Sequence, residues 1–108
     1  MFALFGPRMN NISTAELQAR LEKGEKPIII DVREPWEYAE GHVPGSILKP
    51  VGQIRSWSNQ LKKDDEIILI CRTASRSAMA YQYLAALGFT NLRNVAGGIV
   101  TWRGAVAR

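Results

Sequence analysis

Two unbroken apolar runs set the pattern of this chain: Ile28, Ile29, Ile30 and, past Asp31, Val32; then Ile67, Ile68, Leu69 and Ile70. Runs without polar alternation predict strands buried on both faces. Around them the apolar spacing is helical. Ser13 and Glu16 form an S-x-x-E capping box, and Ile12 can staple against Leu17, predicting a helix over 14–23 stopped at Gly24. Glu34-Pro35 opens a short helix with proline in its first turn, closing at Gly41. Residues 46–49 read as a short strand. Val51, Ile54, Trp57 or Ser58, and Leu61 recur at helical spacing and predict a helix over 51–63. An alanine- and leucine-rich helix over 77–87 ends at Gly88. A last strand over 92–95 and a helical turn or two over 99–102, after Gly97-Gly98, complete the chain.

Strands alternating with helices predict an α/β layered domain over 12–108, behind a loose segment 1–11, built on a central parallel sheet. Ligands of such sheets bind beyond the carboxyl ends of the strands. That edge carries Asp31 and Arg33 from one apolar strand and Cys71 from the other.

Composition narrows the chemistry. Hydrophobic residues at 46% and charged residues at 22% are ordinary for a globular domain. A net charge of +4 suits an anionic ligand. Nucleic acid is not expected, because the arginines are scattered and Lys62-Lys63 is neutralised at once by Asp64, Asp65 and Glu66, as in a solvated helix end. One cysteine excludes an internal disulfide, and one histidine leaves no Cys/His set for a metal. The N-terminal MFALFGPRM lacks the basic start and apolar length of an export signal, and no run approaches the roughly 20 apolar residues that span a bilayer. The expectation is therefore a reducing, cytoplasmic setting, no membrane and a free thiol.

That thiol opens the stretch CRTASRS, residues 71–77. A strand, a six-residue turn and a helix start gather backbone N–H groups around one point, an anion nest at the positive end of a helix. Arg72, Thr73, Ala74, Ser75, Arg76 and Ser77 are mostly small, so backbone can approach a ligand closely. Arg76 adds a fork of donors suited to an oxyanion, with Arg72 as a steering charge. Helix dipole, amides and guanidinium favour the thiolate, so no histidine base is needed. A buried small hydrophobe is the bland use of a lone cysteine, but it has no need of two arginines and a helix start. Cysteine with arginine five positions on also matches the phosphate cradle of cysteine phosphatases, so residue chemistry alone leaves both reactions open.

Four stretches carry a family resemblance: ISTAELQARLEKGE (12–25), IIIDVREPWEYAEGHVPGSI (28–47), EIILICRTASRSAMAYQYLAALGF (66–89) and NLRNVAGGIVTWRGA (91–105). Together they resemble the single-domain rhodaneses, the thiosulfate sulfurtransferases, over nearly the whole chain. The resemblance implies a rhodanese-like fold with helices on both faces of the sheet. It implies that Cys71 takes a sulfane sulfur as a persulfide and passes it to cyanide, a thiol or a protein acceptor, with no cofactor. The six-residue loop Cys71–Arg76 resembles the sulfurtransferases, whereas phosphatase relatives have seven. Ala74 departs from the family's glycine; if position 74 needs φ > 0, alanine costs about 1 kcal/mol there.

The other candidates take supporting roles: Asp31 organising the loop edge by pairing with Arg33, and His42 holding the GHVPGS turn. Gly97-Gly98 is expected to make a tight turn, and Trp36, Trp57 and Trp102 to pack in the core or between helix and sheet. The rival readings are a persulfide carrier or protein-interaction module, marked by an exposed apolar rim around the loop, an arsenate or phosphate-ester enzyme, and a silent regulatory domain.

Overall fold

All four residues of Ile67–Ile70 are buried, and the sheet is built outward from them. The structure is a computed structural model describing residues 9–108. Its elements are β1 (Asn11–Ser13), α1 (Thr14–Glu22), β2 (Ile28–Asp31), α2 (Pro35–Glu40), β3 (Ile47–Leu48), α3 (Ile54–Trp57), β4 (Ile67–Ile70), α4 (Ser75–Ala86) and β5 (Leu92–Ala96). Five parallel strands lie in the order β1-β5-β4-β2-β3.

Alternation along the central strands makes two cores. Ile67 and Leu69 of β4 and Ile30 of β2 pack with Ile54, Trp57, Ala80, Tyr81 and Leu84 from α3 and α4. Ile68, Ile70 and Ile29 face the other way, toward Leu17 of α1 and Val43. Strands buried on both sides need unbroken apolar runs, as β2 and β4 have. Among the described residues, no helix is long and apolar enough to cross a membrane.

Several expectations shift. Strand β1 was not legible, having one apolar residue, yet its edge pairs in register with β5, Ile12 opposite Val95. Asn10 is tied down as well, its N–H donating to Tyr81 Oη at 2.9 Å and its carbonyl accepting from Asn94 N–H at 2.8 Å. The ordered domain thus begins before residue 12; residues 1–8 of the expected loose segment lie outside the described residues. The single helix over 51–63 is instead α3 between two 3-10 turns, Val51–Gln53 and Ser58–Gln60. Side chains of Ser58 and Asn59 donate to the Arg55 carbonyl, the competition that disfavours a regular helix. Glu66 is no solvated helix end: it enters β4 held by Arg20 through two hydrogen bonds of 2.7 and 3.0 Å. Trp57 is buried and donates to the Pro50 carbonyl, but Trp36, expected to pack, stands in solvent on α2.

Candidate active site

Strands β2 and β4 are neighbours, and the chain leaves their carboxyl ends in opposite directions, toward β3 and toward β5. That divergence opens the crevice where parallel α/β sheets bind ligands. The loop after β4 lies there. Cys71 is fully buried, and its sulfur accepts a hydrogen bond from the Ala74 N–H at 3.1 Å. Ser77 Oγ is 3.3 Å from the same sulfur and 3.2 Å from the Ala74 carbonyl, to which it donates. A hydroxyl has one proton. It can serve the carbonyl while accepting from a thiol, or turn to a thiolate, so Ser77 fits both states of the nucleophile. Helix α4 begins at Ser75, two residues before the expected start, so its first-turn amides point into the loop. Among the described residues, only the Ala74 N–H of the 72–77 segment has a partner within the chain.

The turn into α4 is made by Ala74 at φ 92°, ψ −7°, the one non-glycine residue with positive φ among the described residues. An L-residue held there costs about 1–2 kcal/mol, part of which glycine loses again to unfolded-chain entropy. Ala74→Gly is therefore expected to raise stability by up to about 1 kcal/mol. Paired denaturant curves with unchanged slope measure it; a clear loss would mean that alanine already fits the turn.

Arg76 is placed differently from expectation. Its fork already meets a carboxylate of the chain: both terminal nitrogens donate to Glu37, at 2.7 and 2.9 Å. Glu37 sits in the first turn of α2 and also accepts from the Glu34 N–H at 2.9 Å. One carboxylate thus fixes α2 against the start of α4. The hydrogen bonds from Arg76 hold Glu37 down to about 2 against the opposing effect of burial, helped by the Glu34 N–H and the nearby charges of Arg76 and Arg33. A carboxyl with its usual value of about 4.3 in the unfolded chain makes this pair stabilising at neutral pH, by at most about 3 kcal/mol. Because the folded value is the lower one, that contribution is complete above about 4.3 and is lost as pH falls through about 2. Glu37→Gln should accordingly be less stable than the parent at pH 7, with the difference closing toward pH 2 in urea titrations. A pH-independent difference would assign the loss to packing. Arg72, by contrast, is exposed and has no carboxylate within 4 Å among the described residues.

The Gly97-Gly98 turn does more than end β5. Gly98, at φ 68°, lies against the loop backbone: a Cβ there would stand 2.2 Å from the Arg72 carbonyl oxygen and 2.7 Å from Thr73 N. The following amides complete the contact, Ile99 N–H donating to the Cys71 carbonyl at 2.9 Å and Val100 N–H to the Arg72 carbonyl at 3.3 Å. This turn is the floor on which the loop rests. Sequence reading missed both Gly98 and Glu37 as parts of the site. The adjacent glycines were the available signal for the first; nothing local marked the second.

Asp31, Arg33 and His42 gather around Gly41 instead of around the sulfur. Buried Asp31 accepts from Arg33 N–H at 3.1 Å and from its guanidinium at 2.8 to 3.1 Å, and Arg33 Nη2 donates to the Gly41 carbonyl at 2.9 Å. His42 Nδ1 lies 2.8 Å from the Tyr38 carbonyl, its ring stacks on Tyr38 at 3.5 Å, and its backbone exchanges hydrogen bonds with Ala107. None of the three is hydrogen-bonded to the 71–77 loop.

Comparison with known proteins agrees with this layout. Residues 13–105 match the family described as Rhodanese-like domain. The putative sulfurtransferase YtwF of Bacillus subtilis is 40% identical over 96 residues, covering 89% of this chain and 92% of that protein. The putative sulfur carrier protein YrkF of the same organism is 36% identical over 86% of this chain, which spans only 50% of its length. A crystal structure of a rhodanese-like domain protein from Staphylococcus aureus superposes with a TM-score of 0.83 at 33% identity, covering 92% of this chain and 97% of that one.

Proposed function

Because the chain belongs to the rhodanese-like family, whose relatives here are named sulfurtransferase and sulfur carrier, we propose that it moves a sulfane sulfur through a persulfide on Cys71, with thiosulfate as a competent donor. The observation that carries this reading is the sole cysteine at the floor of the loop, its sulfur already accepting the Ala74 amide beside unpartnered helix-start amides. In the first half-reaction the Cys71 thiolate attacks the outer sulfur of thiosulfate. The S–S bond to the sulfonate sulfur breaks, and sulfite leaves with its electron pair. Charge leaving on sulfite is met by loop amides and by Arg72, since Arg76 is occupied by Glu37. Arg76 is then a positioning residue that sets the loop through α2. In the second half-reaction cyanide or a thiolate takes the outer sulfur, and the electron pair returns to Cys71.

Intact mass tests the reading. Thiosulfate should add one sulfur, about 32 Da, to the reduced chain, and cyanide should remove it. A chain whose mass does not change in excess thiosulfate would sink thiosulfate as donor.

A further inference from the structure

Three large apolar side chains on segments tied to the Cys71 loop stand in solvent: Trp36 is 66% exposed, Met79 63% and Val100 55%. Their placement follows from the site. Trp36 precedes Glu37, which grips Arg76. Met79 is three residues beyond Arg76 on α4 and shares its helix face. Val100 is tied through its N–H to the Arg72 carbonyl. A single exposed apolar residue needs no explanation, but an indole, a thioether and a valine around one reactive loop form the kind of patch that protein interfaces use. The loop's own exposed charge is Arg72, which has no carboxylate within 4 Å among the described residues. Cys71 itself is fully buried, so an acceptor has to be pressed onto the loop to reach its sulfur.

Resting on the sulfur-transfer reading, we propose that this rim docks a protein acceptor: a segment presenting a cysteine thiolate beside a carboxylate, which meets Arg72, and an apolar side chain, which covers Trp36 and Met79. The acceptor thiolate attacks the outer sulfur of the Cys71 persulfide. The bond between that sulfur and Cys71 Sγ breaks, Cys71 recovers the electron pair as a thiolate, and the acceptor leaves as the persulfide, with no net oxidation. A small acidic thiol would meet Arg72 but has no side chain to cover Trp36 and Met79.

Two synthetic peptides with a single cysteine test it, one with glutamate and leucine flanking the cysteine, the other with lysine and serine. With the persulfide preloaded from thiosulfate, transfer to the acidic-apolar peptide should be about tenfold faster than to the basic one. Trp36→Ser with Met79→Ser should erase about tenfold of that rate while transfer to cyanide stays within about twofold. Equal rates for the two peptides, or a double variant as fast as the parent, would overturn the rim. Binding is read separately by calorimetry, using Cys71→Ser protein and the same peptides with serine for cysteine. The double variant should weaken Kd about tenfold, and an unchanged Kd overturns the rim even if transfer chemistry holds. If thiosulfate loads no sulfur, the donor assignment fails and the Kd comparison alone decides the docking surface.

Discussion

Cys71→Ser is expected to abolish sulfur uptake from thiosulfate, leaving the mass of the treated chain unchanged. The chain has no other thiol, so no second residue can take over the nucleophile's role. Serine would be a poor substitute because an alkoxide is not accessible at neutral pH without a base, and His42 is engaged at Tyr38 and Ala107, away from the loop. The substitution should be mild structurally. A hydroxyl at position 71 finds the Ala74 N–H and Ser77 Oγ where the sulfur now finds them, so a buried polar group is not left unsatisfied, and stability should stay within about 1 kcal/mol of the parent. Activity lost with the fold retained assigns the sulfur to chemistry. Uptake of sulfur by Cys71→Ser would move the site elsewhere, and equal loss of folding would make the cysteine a packing residue.

The parts of this molecule legible in its sequence are those written in local pattern. Strands β2 and β4 could be read because burial on both faces demands unbroken apolar runs, and α1 because Ser13 and Glu16 cap it, as both hydrogen bonds of 3.0 Å show. The α/β layering on a parallel sheet followed from that order of elements, and the rhodanese-like fold from the resemblance. Strand β1 escaped because an edge strand held by β5 needs only Ile12 on its buried side. Residues 51–63 misled because apolar spacing records which side chains face the core, and a 3-10 turn, a short helix and another 3-10 turn satisfy nearly the same spacing. In the site, position 71 was visible because its chemistry depends on neighbours within the loop, and the demand at position 74 because the resembled family has glycine there. The pairing of Arg76 with Glu37 was not legible in sequence, because the two are 39 residues apart. A guanidinium looks the same in sequence whether it meets a ligand or a carboxylate. In the proposed reaction the consequence is electrostatic: Arg72 and the amides, instead of Arg76, meet the incoming anion.

Gly98→Ala is expected to damage the site from behind. The added Cβ would lie 2.2 Å from the Arg72 carbonyl oxygen and 2.4 Å from its carbon, both backbone atoms with no rotamer to yield. Restoring ordinary contact distances near 3.5 Å requires the loop and the turn to separate by about 1 Å or more. The residue also sits at φ 68°, which adds about 1–2 kcal/mol of left-handed strain for alanine. Separation would stretch the hydrogen bonds that Ile99 and Val100 donate to the Cys71 and Arg72 carbonyls, and these hold the segment whose Ala74 amide donates to the sulfur. A misplacement of about 1 Å is enough to cost about a hundredfold in rate, so turnover with thiosulfate should fall by that order, and stability by about 2 kcal/mol or more. Gly97→Ala supplies the comparison. Its Cβ would meet Thr101 Cγ2 at 2.8 Å and Oγ1 at 3.0 Å, at φ 84°. Those atoms belong to a side chain that can rotate away, although Thr101 Oγ1 would give up its hydrogen bond to the Gly98 carbonyl. Gly97→Ala should therefore lose stability through strain while keeping most of its turnover. Similar turnover losses in the two variants would mean that any disturbance of the turn is felt at Cys71. Parent-like turnover in Gly98→Ala would mean that the loop does not rest on this turn at all.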